Sequence, residues 1–453
     1  MPNTKTAFRP FLYWETRSFG IELEGRENQH FPKVKFVIFQ GIDYNMAKKG
    51  LPHIREARDF VFREAMMNRF KRYLVAAAAA GFAIMMVAGC GGDTGKAESG
   101  AAASSAKIVQ VKSEKEADLV NQAKKEGVVK VYSITSRVAK AGAEFEKKYG
   151  IKVEASDMKD FELIDKVTTE VKGNAEGADM VICQDSGRVY GELLTSGYLE
   201  NYIPEDLKGD IPEKNQSPLV FAYMNKVFMY NDENGKPCPI SNIWQLTDPS
   251  MKGKFFFKSP MQEGINANFL TMLTKPEVAE KMAKAYEDYY HKKLELTTQN
   301  AGYEWIKLAF TNGLVMGSSD TSMTESIGVK GQDNTSVGLL NYSKIRYKDK
   351  KNLALAAADS VDPYSGFYYP EYMLMVKGAK HPAAAKLFIQ YILTEEGFKS
   401  WASDMGTYSG NTKIAVAKGD KPLEEWEKVL VGDDPQYIFE HRAEVEEFIS
   451  QFI

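Results

Sequence analysis

A chain of 453 residues, 44% hydrophobic and 12% aromatic, has enough apolar material to bury a sizeable core in two or three lobes. Its 58 Lys and Arg against 61 Asp and Glu leave a formal net charge of -3, which argues against nucleic acid as a partner. Three cysteines, Cys90, Cys183 and Cys238, match neither a disulfide framework nor a paired-cysteine zinc site.

In chain order, residues 1–65 precede a segment that reads as a secretory signal. An extension of that length in front of a signal makes little physical sense, so 1–65 are expected to be translated upstream sequence, with Met66 or Met67 as the start. Residues 66–89 contain the basic start Arg69, Lys71 and Arg72 and then an apolar run from Tyr73 to Met86. That run is too short to span a bilayer, which takes about 20 residues. It ends in Val87-Ala88-Gly89 before Cys90, and this stretch resembles the lipobox of bacterial lipoproteins. The resemblance implies lipidation of Cys90 and anchorage on the extracytoplasmic side of the envelope. Residues 90–106, small and polar, read as a flexible tether. Gly95-Lys96 is not a phosphate loop, because Ala97 stands where Ser or Thr is required.

After the tether the text alternates. A helix capped by Ser113 is expected over 114–125, a strand over 128–132, a helix ending at Gly150, a strand over 152–156, a helix over 161–171 and a strand over 179–182. Two strands, 220–223 and 226–230, then a strand over 254–257, helices over 276–290 and 303–311, a short strand over 314–316, a helix from Ser322 and a strand over 337–340 follow. Return strands are expected over 353–357 and 373–376, with helices over 382–393 and from Gln436. Such alternation predicts mainly parallel sheets covered by helices, with the ligand crevice beyond the carboxyl ends of the strands.

Four phrases, EGVVKVYSITSR, GADMVICQDSGRVYGELLTSGYLENYIP, ISNIWQLTDPSMKGKFFFKSP and GAKHPAAAKLFIQYILTEEGFKSW, together resemble the extracellular solute-binding proteins of ABC importers. The nearest subgroup is the one that binds ferric ion, phosphonates or sugar phosphates. The resemblance implies an α/β, two-lobed periplasmic-binding-protein-like (type II) fold with a hinge and a central cleft. It places 107–222 with 354–410 in one lobe and 223–353 with 411–453 in the other. It also implies a monomer that takes a small-molecule ligand, needs no cofactor, and hands the ligand to an ABC permease with its ATPase.

Ser133, Thr135, Ser136 and Arg137 fall between a strand and its helix, where backbone N–H groups, hydroxyls and a guanidinium suit an oxyanion. Ser136 as a plain helix cap and Arg137 facing water is the competing account. Gln184, Asp185 and Ser186 hold the equivalent position after the third strand, with a capping Asp as the alternative. Ser319 and Thr321 are candidate contacts from the second unit, whereas Ser322 with Glu325 fits a capping box.

Ferric-binding members of the resembled family hold the metal with adjacent tyrosines after a strand. Here Tyr342 is present in VGLLNYSK, but Ser343 stands where the second would be, which weakens that reading. Tyr364, Tyr368 and Tyr369 are substitutes, each equally explained by packing. His291, His381 and His441 have no partner at metal spacing. No G-x-S-x-G, H-E-x-x-H or G-x-G-x-x-G occurs, so an enzyme is not expected. The expected function is capture of a small anionic solute, such as a phosphonate, sugar phosphate or carboxylate. Ferric ion is the alternative ligand and a sensor for a signalling receptor the alternative role.

Overall fold

A computed structural model describes residues 108–331 and 336–453. The signal, the tether, Cys90 and residues 1–65 lie outside the described residues.

The chain enters through β1 (Gln110–Val111), α1 (Glu116–Glu126), β2 (Val128–Ser133), α2 (Arg137–Tyr149), β3 (Lys152–Asp157), α3 (Asp160–Lys172), β4 (Met180–Cys183) and β5 (Leu199–Tyr202). Gly127 and Gly150 end α1 and α2 with φ of 71° and 73°, the left-handed caps that their positions in the sequence announce. The long strand β6 (Val220–Tyr230) follows, then β7 (Phe255–Lys258), α4 (Gly264–Leu273), α5 (Pro276–Tyr290), α6 (Ala301–Thr311), β8 (Val315–Gly317), α7 (Asp320–Gly328), β9 (Val337–Asn341) and β10 (Ala356–Ala357). A second long strand, β11 (Gly366–Val376), leads to α8 (Pro382–Ile392), β12 (Thr407–Ser409), β13 (Val431–Gly432) and α9 (Pro435–Ser450).

Two halves share one plan. In the first, strands run β3-β2-β4-β11-β5, with β2 parallel to β3 and β4, and β11 antiparallel to β4 and β5. In the second they run β8-β7-β9-β6-β10, again three parallel strands followed by an antiparallel one. β6 and β11 therefore belong to both halves, and they pair with each other antiparallel from Gly366↔Val227 to Tyr372↔Val220. At Gly366, φ is 149° and an added Cβ would overlap the Lys226 carbonyl, so only glycine allows this approach.

Alternation along the strands sends side chains to opposite faces. Val129, Val131, Phe145, Met180, Ile182, Phe388 and Trp401 pack on one face of the first sheet, and Leu163, Val181, Cys183, Val189 and Leu374 on the other. In the second half Phe228, Phe255, Phe257, Phe269, Trp244 and Trp305 form one core, while Val227, Met229, Met323, Leu340, Leu355 and Trp426 form the other. Helix α9 seats Ile438, Val445 and Ile449 in the first of these two cores. Its other side reaches the first half, where an added Cβ at Gly187 or Gly191 would strike Ile438 or Phe439.

Several elements differ from the sequence expectation. The strands expected over 220–223 and 226–230 are one continuous strand, and α4 was not foreseen. Helix α1 starts two residues later than expected, with Lys115 rather than Ser113 at its N-cap. Helix α7 begins at Asp320, so Ser322 lies inside it and the cap is Ser319, whose hydroxyl accepts from the Thr321 and Ser322 N–H groups. Cys183 and Cys238 are both free thiols.

Candidate functional site

Because β2, β3 and β4 are parallel and in register, with Ser133 opposite both Asp157 and Ile182, the loops that follow them share one edge of the first half. Most of the local polar groups there bind one another. The Thr135 N–H donates to the Ser133 hydroxyl at 3.2 Å, and the Arg137 N–H to the Thr135 hydroxyl at 3.3 Å. Ser136 occupies the N-cap of α2 without a side-chain capping bond. The Arg137 guanidinium pairs with Asp404, and the same carboxylate lies 3.6 Å from Arg346 of the second half. One largely buried carboxylate thus serves two guanidinium groups carried by different halves.

Asp160 and Asp185 are stacked into the same edge. Backbone N–H groups of Gln184 and Asp185 donate to the Asp160 carboxylate at 3.1 and 2.9 Å. Burial, reinforced by the Asp185 charge, nevertheless drives the Asp160 pKa well up, the two N–H bonds opposing. Asp185 is held by Arg442 of α9, whose Nη1 donates to both carboxylate oxygens. Ser186 donates to Asp433 at 2.9 Å. Burial pushes Asp433 up to about 8, and the Ser186 bond opposes this.

The facing edge of the second half is built by the ends of β7, β8 and β9. Lys226, almost fully buried on β6, donates to Asn266 at 2.6 Å and stands 3.9 Å from Asp320. Lys258 pairs with Glu263. Thr321 accepts from the Lys344 ammonium at 3.0 Å and meets the Tyr347 hydroxyl at 3.4 Å. Burial drives the Lys344 pKa down, with Arg346 and Arg137 pushing the same way against Tyr347 and Asp320. The Tyr347 phenol is drawn down by its Thr321 hydrogen bond and by the Lys344 and Arg346 charges. These groups form a cation-rich wall whose charges are only partly compensated.

Of the residues singled out in the sequence, Arg137, Gln184, Asp185 and Thr321 come to these two edges with Ser133, Thr135 and Ser136. Ser319 and Ser186 are there too, engaged as a cap and as a donor to Asp433. The tyrosines scatter. Tyr342 packs edge-on against Trp426 at 5.2 Å, and Tyr368 against Tyr223 at 6.0 Å. Tyr364 is buried beneath the Lys281 ammonium. Burial pushes all three phenols up to about 12. Tyr369 is buried beside Phe367, and burial drives its phenol up, with Asn341 opposing. Among the described residues, no group of three or more His, Cys, Asp and Glu is poised to hold a metal.

Lys344, Arg346 and Tyr347 were missed because KIRYKDK reads as a solvated charged turn. Their position directly after a strand end was the available signal. Glu371 was missed too, although it is the only charged residue in the otherwise apolar strand GFYYPEYMLMV.

Two like-built α/β halves, joined by a pair of shared strands and facing each other across polar strand ends, define a type II two-lobed solute-binding protein. Residues 140–429 match the model of the bacterial extracellular solute-binding protein family, and the chain belongs to that family. A curated relative, Iron uptake protein A1 of Synechocystis, is 30% identical over 125 residues, which span 27% of this chain and 34% of the relative. Among solved structures, iron-bound HitA from Pseudomonas aeruginosa superposes with a TM-score of 0.57 at 18% identity, over 72% of this chain and 99% of that one. FutA of Trichodesmium, in complex with iron and citrate, gives 0.54 at 18% identity over 72% and 99%. MotA from Agrobacterium tumefaciens B6, in complex with glucopine, gives 0.52 at 14% identity with the same coverage. At these identities the likeness shows the fold. Among the described residues no helix is long and apolar enough to cross a membrane.

Proposed function

We propose that this chain captures a small organic anion outside the cell and delivers it to an ABC permease with its ATPase. Residues 107–222 with 354–410 act as one lobe and 223–353 with 411–453 as the other, and Cys90 carries the lipid that holds the protein at the membrane. It works by binding and release, without chemistry on its guest. The carrying observation is the sharing of Asp404 by Arg137 and Arg346 beside Lys344: three cations from facing lobes with one carboxylate between the two guanidiniums. An anion bridging them stabilises the closed form.

A titration series of carboxylates, phosphonates, sugar phosphates and ferric citrate, read by thermal shift and calorimetry, tests this. A saturable shift with at least one iron-free anion, weakened by about tenfold or more in Arg137→Ala, is the expected result. No response to any iron-free anion overturns it.

One observation favours ferric ion as a second reading. Tyr347 is a phenol whose pKa is drawn down beside Thr321 and Lys344, as a hard phenolate ligand requires. The iron held by HitA and FutA in their structures and the name of Iron uptake protein A1 speak for the same cargo. A visible absorption band on adding ferric citrate, lost in Tyr347→Phe and kept in Tyr342→Phe, would establish it.

A further inference from the structure

Glu371 sits on the shared strand β11, and its neighbour Tyr372 pairs with Cys183, the last residue of β4. Glu371 therefore lies just past the end of β4, at the same edge as the Gln184 loop, with Ala222 of β6 opposite it. The ladder slips between Glu371 and Tyr372, which re-aims the side chain relative to the rest of the strand. Its side chain is in a residue only 6% exposed, yet no hydrogen bond from a described residue reaches the carboxyl. The charged groups that act on it are Arg137 and Asp160.

The Glu371 carboxyl oxygens are not among the fully enclosed unpartnered ones, so they keep contact with solvent, and a purely structural position in this strand would be served better by an apolar residue. Asp160 differs: its carboxylate already takes two backbone N–H bonds. Arg137 thus acts on both Glu371 and Lys344, and it shares Asp404 with Arg346 of the second lobe.

We propose that the cleft selects anions bearing an ammonium or hydroxyl substituent, with Glu371 receiving the substituent while Arg137 and Lys344 hold the acid group. This rests on the organic-anion reading above and narrows it to amino- or hydroxy-substituted organic acids and phosphate esters. The donor of the guest satisfies the carboxyl that the fold leaves without one, and the guest's negative end meets the cations that share Asp404.

Matched ligands test this on the full chain by calorimetry in mildly alkaline buffer, above the value of about 8 to which burial pushes the Glu371 carboxyl: succinate against malate and aspartate, and ethyl phosphate against 2-aminoethyl phosphate. In at least one series the substituted member should bind about tenfold or more tightly than the plain one. Glu371→Gln should shrink that gap to about twofold while leaving the plain anion's affinity in place. A purely structural Glu371 would weaken every ligand alike or none, and either pattern overturns the proposal. Equal binding of plain and substituted members also overturns it, and does so in the unmodified protein even where Glu371→Gln fails to fold. If plain anions bind and the substituent adds nothing, only this inference falls. If none of the five binds, the organic-anion reading falls with it.

Discussion

The Arg442 guanidinium on the C-terminal helix holds Asp185 on the loop after β4, with Nη1 at 2.8 Å from Oδ1 and 2.6 Å from Oδ2. Arg442 also donates to Glu446 one turn on, which fixes the fork before it reaches across. Helix α9 is seated in the second half's core, so this pair ties that core to the loop that follows β4 in the first half. Gly264, at the start of α4, lies so close that an added Cβ would collide with the Asp185 carboxylate. Removing one partner of a buried pair leaves the other charge uncompensated, at a cost of about 3–5 kcal/mol. Arg442→Met should therefore lower the unfolding free energy by that order. Adding Asp185→Asn to it should cost much less than Asp185→Asn alone. Additive losses in urea unfolding would show that the two residues do not act as a pair.

On the proposed reading, Asp404 competes with a bound anion for Arg137 and Arg346. Asp404→Asn should therefore tighten binding of an organic anion by about tenfold, since a single compensated charge is worth about 1–2 kcal/mol at a partly buried site. It should also lower the melting temperature measured without ligand, because two guanidiniums then face each other without a carboxylate. Calorimetry and a melting curve on the same preparation decide it, and weaker binding in the variant would mean that Asp404 positions the guanidiniums instead of competing for the ligand.

Much of this architecture is written locally in the chain. Gly127 and Gly150 mark helix ends, apolar runs such as Met180-Val181-Ile182 mark strands buried on both faces, and Pro276 and Pro382 open their helices at N1. What escaped was set by tertiary burial. Helix α4 buries nine of its ten residues and so shows no polar stripe for a periodicity argument to find. β6 reads as two short strands because Asn225 and Lys226 interrupt its apolar run, yet both are buried, Asn225 donating to the Tyr408 hydroxyl and Lys226 to Asn266. The site was legible as loops and not as contacts. The position of Arg137 after a strand end was readable, whereas its partner Asp404 lies 267 residues away.

Stability should depend on pH through Glu371. Burial, helped by Asp160 and opposed by Arg137, pushes its carboxyl from 4.5 up to about 8. Between those values the folded protein keeps a proton that the unfolded chain has released. The unfolding free energy therefore falls as pH rises through that window and levels off above it. Asp433, pushed up to about 8 by burial with Asp185 and Asp434 adding and Ser186 opposing, acts in the same direction. Urea midpoints measured from mildly acidic to mildly alkaline buffer should decline, and Glu371→Gln should decline less steeply. An unchanged slope in the variant would place the proton elsewhere.

The shared strands set a limit on substitution at Gly366. Its φ of 149° is a backbone region that residues with a Cβ avoid, and the added carbon would overlap the Lys226 carbonyl in the partner strand. Relief requires β6 and β11 to separate at the point where Gly366 pairs with Val227, next to the buried Lys226 ammonium that holds Asn266. Gly366→Ala should therefore cost more than about 1 kcal/mol, the ordinary penalty for alanine where φ is positive, and should loosen the ties between the lobes as well. Two measurements separate these effects. Urea unfolding reports the stability loss, and amide exchange reports faster opening of residues 226–228 and 366–368 relative to the core of β2 and β4. Alanine at this position with wild-type stability and unaltered exchange would show that the strand pair accommodates the carbon, and that the close approach at Gly366 places no constraint on the hinge.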